Sequence, residues 1–504
     1  MAKTYLDNIT RAQFNLSTVL GILGAFIFFL GFALLLPMII AFVYDEEVWH
    51  TFLYSASIAF LTGGILYYLF RTDEELRIRE GFLVVSLTWL FLSLVGALPF
   101  VISGILPSYT DAVFETMSGL TTTGATILGG TTNWGFVNPE IESLPQSMLF
   151  WRSLAHWLGG MGIIVLTLAI LPLLGVGGMQ LFQAESPGPT TDKLTPRVQE
   201  TAKLLWGVYV AFTGIEFLLL WVHPSMDWFQ AINHAFATLA TGGFSTKSGS
   251  IAAFDSVYID AVITLFMFLA GINFAMHFRL LKGNTESFFN NREIRFYSLI
   301  TAISIVAISG SLWLFDGYDI GGAIQYGAFQ AVSIITTTGF GTDDYELWHS
   351  FGAFFLFLLF FTGGCAGSTG GGVKMIRWMI IIRNSFREIK QIIHPKAILP
   401  IRIGDKTIDY NIQRTVLSFF VLYLIVFGIG ALIMATMGYD MQSAIGASIA
   451  CLGNIGPGWG EFGPTDNYAQ IPLFGKWVLI IMMMIGRLEI FTVLLIFTPT
   501  FWKQ

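Results

Sequence analysis

Apolar segments long enough to cross a lipid bilayer recur along this sequence from one end to the other. Examples are residues 14–43, 81–105, 258–276 and 477–497, and each approaches or exceeds the ~20 residues that span a bilayer as a helix. Charged residues make up only 12% of the chain, roughly half the share of ordinary soluble domains. A soluble protein of this length would need more surface charge, so the pattern predicts an all-α polytopic membrane protein.

The basic residues are confined to alternate loops, which predicts the orientation in the membrane. The basic loops contain Lys3, Arg11, Arg71, Arg77, Arg79, Lys193, Arg197, Lys203, Arg279, Lys282, Arg292, Arg295 and a last group between residues 374 and 414. Residues 101–150, 311–372 and 416–474 contain no lysine or arginine, and Lys247 is the clear exception on that side. By the positive-inside tendency, the basic loops and both termini are expected on the cytoplasmic side.

The length of the first apolar segment and the number of cysteines limit the alternative classes of protein. The first apolar segment is longer than the apolar region of a cleaved signal peptide, so we expect it to remain as a membrane span. Only Cys365 and Cys451 are present, and no disulfide framework is expected.

The four loops on the side poor in basic residues each contain a short apolar stretch of ~10–14 residues, which is too short to span and suits a re-entrant segment. Each stretch ends in a glycine-centred turn. In chain order the turns are Thr122-Thr123-Gly124, Thr241-Gly242-Gly243, Thr337-Thr338-Gly339 and Asn454-Ile455-Gly456.

The four turns can be aligned on their last glycine, and the alignment extends beyond the turns. Two residues before that glycine stand three threonines and an asparagine, and small residues stand eight and twelve positions before it. Successive turns are separated by ~100 residues, which indicates an internal repeat. We therefore predict two N-terminal spans in residues 1–75, then four pseudo-symmetric span–pore-helix–span repeats in residues 76–180, 181–285, 286–392 and 393–504 around a central pore.

The composition of the turns favours binding of a dehydrated cation. Non-helical backbone at membrane depth leaves polar groups unpaired unless it is buried in protein or lines a wet cavity, and glycine permits backbone angles that aim successive carbonyls in one direction. Four such segments around one axis would make rings of carbonyl oxygens like those of a potassium filter, which exclude anions. Potassium is accordingly expected at Thr122, Thr123, Gly124, Thr241, Gly242, Gly243, Thr337, Thr338, Gly339, Asn454, Ile455 and Gly456.

The short helix before each turn would point its negative C-terminal end toward the bilayer centre. Asp111, Asp227 and Asp440 lie near the starts of three of these helices. Further acids are expected to concentrate cations on the outer side; they are Glu115, Glu140, Glu142, Asp343, Asp344, Glu346, Glu461 and Asp466. The alternative for any one of them is ordinary solvated loop surface.

A glycine-rich segment interrupts the second span of the third repeat. Six of the ten residues 363–372 are glycine, and glycine destabilises the interior of a helix. The break falls near mid-membrane, where irregular backbone is tolerated if it lines a cavity. We interpret it as a gate below the filter, formed by Gly363, Gly364, Gly367, Ser368, Thr369, Gly370, Gly371, Gly372, Lys374 and, from the last span, Arg487. A close-packing kink and a nucleotide-binding loop are the alternatives, although the segment lacks the ending of a P-loop.

Arg487 lies deep in the last apolar segment, where a charged side chain marks a functional site by default. Facing the pore, it would repel potassium or bind carbonyls of the glycine-rich segment. A structural ion pair with an acid on another span is the alternative, because Glu489 is too close in sequence to face it. Arg152, His156 and His234 are expected to make structural contacts.

The four turns, residues 239–246 and the glycine-rich segment 363–372 closely resemble the Trk/Ktr/HKT potassium transporters, and the two extra N-terminal spans resemble the bacterial Trk-type uptake subunit, TrkH or TrkG. The resemblance covers nearly the whole chain. It implies potassium uptake across the bacterial inner membrane, a loop across the pore with an arginine beside it, a homodimer, and a cytosolic nucleotide-binding regulatory ring of the TrkA type. It implies no cofactor in this chain, a nucleotide only on the partner ring, and no nucleic acid.

Two details of the turns refine the resemblance. Sodium-passing relatives often carry serine in place of the first filter glycine, so Gly124 favours potassium. The fourth turn departs from the Thr-x-Gly pattern, so its contribution to coordination is expected to differ.

Three functions remain open from the sequence. A gated potassium pore and a proton- or sodium-coupled potassium symporter would use the same filter. A membrane-embedded nucleotide-hydrolysing enzyme would use the glycine-rich segment, but the chain offers only connectors where a nucleotide-binding domain should be.

Overall fold

The helices follow one another in the order that the apolar segments predict. The computed structural model describes residues 15–72, 78–169, 194–404 and 406–502. Lys3, Arg11, Arg77 and Lys193 of the basic loops lie outside the described residues.

The helices of the described residues are numbered in chain order. They are α1 Leu16–Val43, α2 Trp49–Phe70, α3 Ile78–Gly96, α4 Leu98–Ile102, α5 Tyr109–Leu120, α6 Gln146–Ala169, α7 Leu194–Trp221, α8 Trp228–Leu239, α9 Val257–Ala270, α10 Phe274–Leu281, α11 Thr285–Phe289, α12 Arg292–Phe315, α13 Ile320–Ile335, α14 Ser350–Leu359, α15 Met375–Ile393, α16 Tyr410–Thr436, α17 Met441–Gly453, α18 Leu473–Arg487, α19 Phe491–Leu494 and α20 Pro499–Trp502.

The first two spans form a tightly packed antiparallel pair. A side chain added at Gly24 would lie 2.8 Å from the Gly63 carbonyl oxygen, and one added at Gly63 would lie 2.7 Å from the Gly24 carbonyl oxygen. Without a hydrophobic drive between helices in lipid, close backbone approach at small residues is what holds such pairs together. These two glycines therefore fix where α1 and α2 cross.

Each of the four units that follow has a long helix, a short helix that ends at a glycine-centred turn, and a second helix. The short helices, which we call the pore helices, are α5, α8, α13 and α17. Three of them have 12 or 13 residues, as the short apolar stretches predict. The third pore helix has 16 residues and is longer than predicted.

The second helices are more broken than the sequence indicates. The interruption predicted in the third unit separates α14 from α15. Helices α9 and α10 also meet at 100°, and α18 meets the turn that contains α19 at 118°, so the continuous spans predicted at 258–276 and 477–497 are wrong. Asn273 caps α10 with its side chain, and Glu489 has a left-handed backbone with φ of 56°; both stop helix propagation.

By length and composition six described helices could cross a membrane, or eight if each bent pair counts as one span. Helix α6 and the interrupted pair α14 and α15 occupy the chain positions of the other two predicted spans. The connection from the third unit to the fourth is partly helical, because α15 extends to Ile393. Two antiparallel two-residue strands, β1 Arg402–Ile403 and β2 Lys406–Thr407, lie in this connection, and the fold class is all-α.

Candidate ion-conducting site

The four glycine-centred turns share one backbone conformation. The residue two before the last glycine is left-handed in every turn, with φ of 52°, 55°, 60° and 55° at Thr122, Thr241, Thr337 and Asn454. The last glycine also has a positive φ, between 80° and 98°, at Gly124, Gly243, Gly339 and Gly456. The residue between them does not. Asn454 belongs to the residue types that tolerate this region, which explains how it replaces threonine without changing the turn.

The turns contact one another in a closed ring. A side chain added at Gly124 would overlap the carbonyl oxygen of Gly242, and one added at Gly243 would overlap that of Thr338. One added at Gly339 would overlap the Ile455 carbonyl oxygen, and one at Gly456 would lie 2.6 Å from that of Thr123. Each last glycine thus faces a backbone carbonyl of the next turn, and the fourth turn returns to the first.

One cavity opens on the ring from the side of the loops poor in basic residues. Its volume is about 150 Å³, and all four last glycines line it. Glu140, Asp466, Arg152 and Lys247 also line it. The predicted acids Glu140 and Asp466 therefore lie at the mouth of this cavity, and Lys247 is a basic residue at the same mouth.

Side chains behind the ring lock the first and third turns in the same way. The hydroxyl groups of Thr121 and Thr123 lie 2.8 Å apart, and those of Thr336 and Thr338 also lie 2.8 Å apart. Asn454 joins the fourth turn to the first, because its Nδ2 donates to Thr123 Oγ1 at 3.0 Å. The turn residues other than the last glycines are buried within the protein, so each conformation is held by surrounding structure rather than by solvent.

Three of the four pore helices are capped by acids at the ends remote from the ring. Asp227 and Asp440 accept hydrogen bonds from the first turns of α8 and α17 as predicted, and Asp319 does the same for α13. Asp319 was not predicted from the sequence. The third pore helix is longer than expected, so its cap lies before the residues over which the four turns align. Asp111 lies in the first turn of α5, where Ser108 is the cap.

The glycine-rich segment lies against the turns. The Gly371 N–H donates to Thr337 Oγ1 at 2.6 Å, and the Thr369 hydroxyl donates to the carbonyl of Leu239, the last residue of α8, at 2.9 Å. A side chain added at Gly371 would lie 2.6 Å from the Gly453 carbonyl oxygen. One short segment therefore contacts the second, third and fourth units at the ends of their pore helices.

Arg487 contacts this segment directly. Its Nη1 donates to the Thr369 carbonyl at 2.6 Å, and its Nη2 donates to the Gly159 carbonyl on α6 at 3.1 Å. In the described part of the chain no carboxylate pairs with it, and Glu489 pairs with Arg377 at 2.5 Å instead. Of the two interpretations of Arg487, binding of loop carbonyls agrees with the geometry and an ion pair does not.

Other members of the candidate gate hold the segment together. Lys374 donates its ammonium group to the Gly370 carbonyl. Glu293, at the start of α12, accepts from the N–H group of Ala366 within the segment and from that of Ile376 just after it, at 2.7 and 3.1 Å. Glu293 could not be identified from the sequence, because its contacts lie 73 and 83 residues away.

One predicted outer acid is misplaced, and a buried pair was missed. Glu115 is buried behind the first turn and pairs with Arg152 at 2.8 Å, so the prediction that it attracts cations on the outer surface is wrong. The prediction counted it with loop residues, whereas it lies within α5. Lys476 on α18 forms a second buried pair with Asp111 at 2.6 Å.

Two acids outside the membrane helices are electrostatically coupled. Partial burial, with the neighbouring Asp344 carboxylate adding to it, raises the pKa of Asp466. Burial also raises the pKa of Glu346, and the charges of Asp344 and Asp466 act in the same direction. Glu346 accepts from the Gly460 N–H at 2.6 Å. This acidic group therefore gains protons at a higher pH than isolated carboxyls would.

Known proteins match this chain over nearly its whole length. A family described as TrkH, cation transport protein, matches residues 49–504. The Trk system potassium uptake protein TrkH of Escherichia coli K12 is 42% identical over 489 residues, covering 96% of this chain and 98% of the relative. The protein of the same name from Halomonas elongata is 40% identical over 494 residues, covering 97% of this chain and 100% of the relative.

The chain belongs to the TrkH family. The crystal structure of the potassium transporter TrkH from Vibrio parahaemolyticus agrees, with a TM-score of 0.88 at 35% identity over 97% of this chain and 100% of that one. TrkH-family members are transporters, so this chain is a transporter and not an enzyme, and the nucleotide-hydrolysing alternative is excluded. The resemblance drawn from the turns is confirmed, as is the all-α membrane fold.

Proposed function

We propose that this chain takes up potassium across the bacterial inner membrane, through a filter made by the ring of four turns. The single observation that supports it most is the closed contact of the four last glycines with the carbonyls of their neighbours. Relatives that match nearly the full length are named potassium uptake proteins.

The filter works because its carbonyls replace the hydration shell of the ion. Left-handed residues alternate with ordinary ones in each turn, and this alternation turns successive carbonyls to one side. Like dipoles converging on one axis repel one another until a cation lies between them, and an anion meets only oxygen lone pairs. Potassium is the cargo, held at the twelve turn residues from Thr122 to Gly456 named above. The chain itself carries no cofactor.

The glycine-rich segment and Arg487 are the gate in this proposal. The segment bonds to Thr337 and to the end of α8, and the guanidinium group of Arg487 ties it to α6 through Gly159. A fixed positive charge beside the ion path raises the energy of potassium there. Conduction requires the segment and the arginine to move together.

The assembly follows from the resemblance and from the charge pattern. We expect a homodimer with one pore in each subunit, both termini in the cytoplasm, and a TrkA-type ring that binds the regulatory nucleotide on the cytoplasmic face. Cross-linking of the purified protein tests the dimer. Binding of a purified ring to vesicles that contain the chain, with and without nucleotide, tests the partner.

Flux through the purified chain in lipid vesicles tests the transport function. We expect uptake of rubidium, little sodium and no chloride. Uptake that follows the rubidium gradient alone, unchanged when proton or sodium gradients are imposed, supports a pore. Uptake that is abolished when those gradients are collapsed would identify a symporter with the same filter, and the absence of any cation flux would contradict the proposal.

A further inference from the structure

The second turn lacks a side chain that the other three turns possess. The residue before the last glycine is Thr123, Thr338 or Ile455 in the first, third and fourth turns, and Gly242 in the second. Thr123 and Thr338 each bond to a threonine behind their own turn. Ile455 is buried against Gly453, where an added Cβ would lie 2.9 Å from its Cδ1. Two successive glycines without such support would be the most pliable part of the ring.

An imidazole ring from another unit fills the missing position. His156 lies on α6, in the first unit, and a Cβ added at Gly242 would overlap its Nδ1, Cγ and Cε1 atoms. Its side chain is fully buried. Neither ring nitrogen has a hydrogen-bond partner in the described part of the chain, so the ring acts there by occupying space.

A second contact holds the imidazole against the same turn. The ring centroid of His156 lies 4.2 Å from that of Phe244, the residue after the last glycine of the turn. Arg152, one helical turn earlier on α6, lies over the same phenyl ring at 4.0 Å and donates to the Ser245 carbonyl at 3.1 Å. Arg152 and His156 therefore both pack against Phe244 from the same helix, and the ion pair with Glu115 holds Arg152 in place.

We infer that His156 is the missing side chain of the second turn and a specificity-determining positioning residue for the ion filter. It touches the back of the turn and not the ion path. The inference rests on the proposed function, because a filter must exist for its shape to matter. Removing the ring leaves a cavity behind Gly242-Gly243, and the carbonyls of that turn then adapt to a smaller ion such as sodium.

An exchange of volumes between the two positions tests the inference. His156→Ala should lower the ratio of rubidium to sodium flux about tenfold, equivalent to ~1.4 kcal/mol of discrimination. Gly242→Thr alone should abolish flux, because the threonine overlaps the imidazole. The double variant, His156→Ala with Gly242→Thr, puts in the second turn the residue of the first and third, and it should recover both flux and the ratio. Gly214→Thr on α7, where an added Cβ meets nothing within 4 Å, is the matched control.

The outcomes separate this inference from the proposed function. If the parent protein carries no rubidium, the proposed function fails and the filter is the wrong site. If the parent is selective but His156→Ala keeps its flux ratio, or if the double variant is no better than the two single variants, His156 is merely structural and the inference fails. Thermal unfolding of each variant in detergent distinguishes a changed filter from loss of folded protein: a reduced flux ratio in a protein that melts like the parent supports the inference.

Discussion

The guanidinium group of Arg487 donates a hydrogen bond of 2.6 Å to the carbonyl oxygen of Thr369. This bond joins the last membrane helix directly to the glycine-rich segment. The same guanidinium bonds to Gly159, so one side chain connects the first, third and fourth units beneath the ring. A hydrogen bond from a charged donor is worth about 1.5–3 kcal/mol. Its loss should be visible in conduction.

Replacing Arg487 by glutamine should raise rubidium flux by about tenfold, because loss of ~1.4 kcal/mol from the closed arrangement shifts a two-state equilibrium by that factor. The measurement is initial rubidium uptake into vesicles containing equal amounts of folded protein. Arg414→Gln, at an exposed arginine, is the control and should match the parent. Unchanged or lower flux in a folded Arg487 variant would show that this arginine does not obstruct the pore.

Shortening the glycine-rich segment between Gly363 and Gly372 should also raise flux, since the segment itself is the obstruction. Combining the deletion with Arg487→Gln should give little further increase, because both changes remove the same contact. Additive increases would mean that the arginine and the segment act separately.

Gly124→Ser should let sodium compete with rubidium. The added side chain would overlap the Gly242 carbonyl, and serine disfavours the φ of 83° that Gly124 adopts. The ring must therefore rearrange. Gly104→Ser is the control, because Gly104 has a similar φ of 76° but nothing within 4 Å of an added Cβ. Sodium inhibition of rubidium uptake measures the effect. Equal inhibition in the parent and in Gly124→Ser would argue against the alignment of the turns.

Acidification outside should weaken uptake at low rubidium concentration. Asp466 and Glu346 have raised pKa values, so as the pH falls they lose their charge at a higher pH than ordinary carboxyls do. As the outside pH is lowered toward about 4, where ordinary carboxyls titrate, we expect uptake from dilute rubidium to begin to fall above that pH while uptake at saturation changes less. Asp466→Asn should reduce uptake from dilute rubidium at neutral pH and flatten the pH dependence. Glu47→Gln, at an exposed acid away from the cavity, should do neither.

The buried pair of Lys476 and Asp111 should matter for stability. Lys476→Met leaves an uncompensated buried carboxylate, which costs about 3–5 kcal/mol, and the melting temperature in detergent should fall. Adding Asp111→Asn should restore most of the loss, since neither charge is then buried alone. Lys203→Met, at an exposed lysine, provides the comparison. A double variant as unstable as the single one would show that the charges are not what the site requires.

The sequence predicted the turns and the order of helices because that information is local and repeated. Each turn has a polar residue and a glycine at fixed spacing, so Thr337 and Gly339 could be identified as turn residues from the sequence alone. The bend after α9 also has a local signal, because Gly271 and the capping residue Asn273 lie between α9 and α10. The position of Arg487 and its bonding to a carbonyl of the glycine-rich segment could be predicted, whereas its second bond, to the Gly159 carbonyl, could not.

The supporting contacts could not be predicted in the same way. Lys476 meets Asp111 across 365 residues, and His156 fills the place of a side chain at Gly242 in another unit. A single histidine in an apolar helix belongs to no periodic pattern from which the residue it contacts could be predicted. The burial of Glu115 was missed for a related reason: its partner Arg152 lies on a different helix, and an acid near a loop looks the same from sequence whether it faces water or protein.

Anomalous diffraction from rubidium bound to crystals of the protein tests the central claim most directly. We predict rubidium peaks on one line enclosed by Gly124, Gly243, Gly339 and Gly456, within coordination distance of carbonyl oxygens from all four turns. Strong rubidium peaks elsewhere, with the four ordered turns empty of ions, would contradict it.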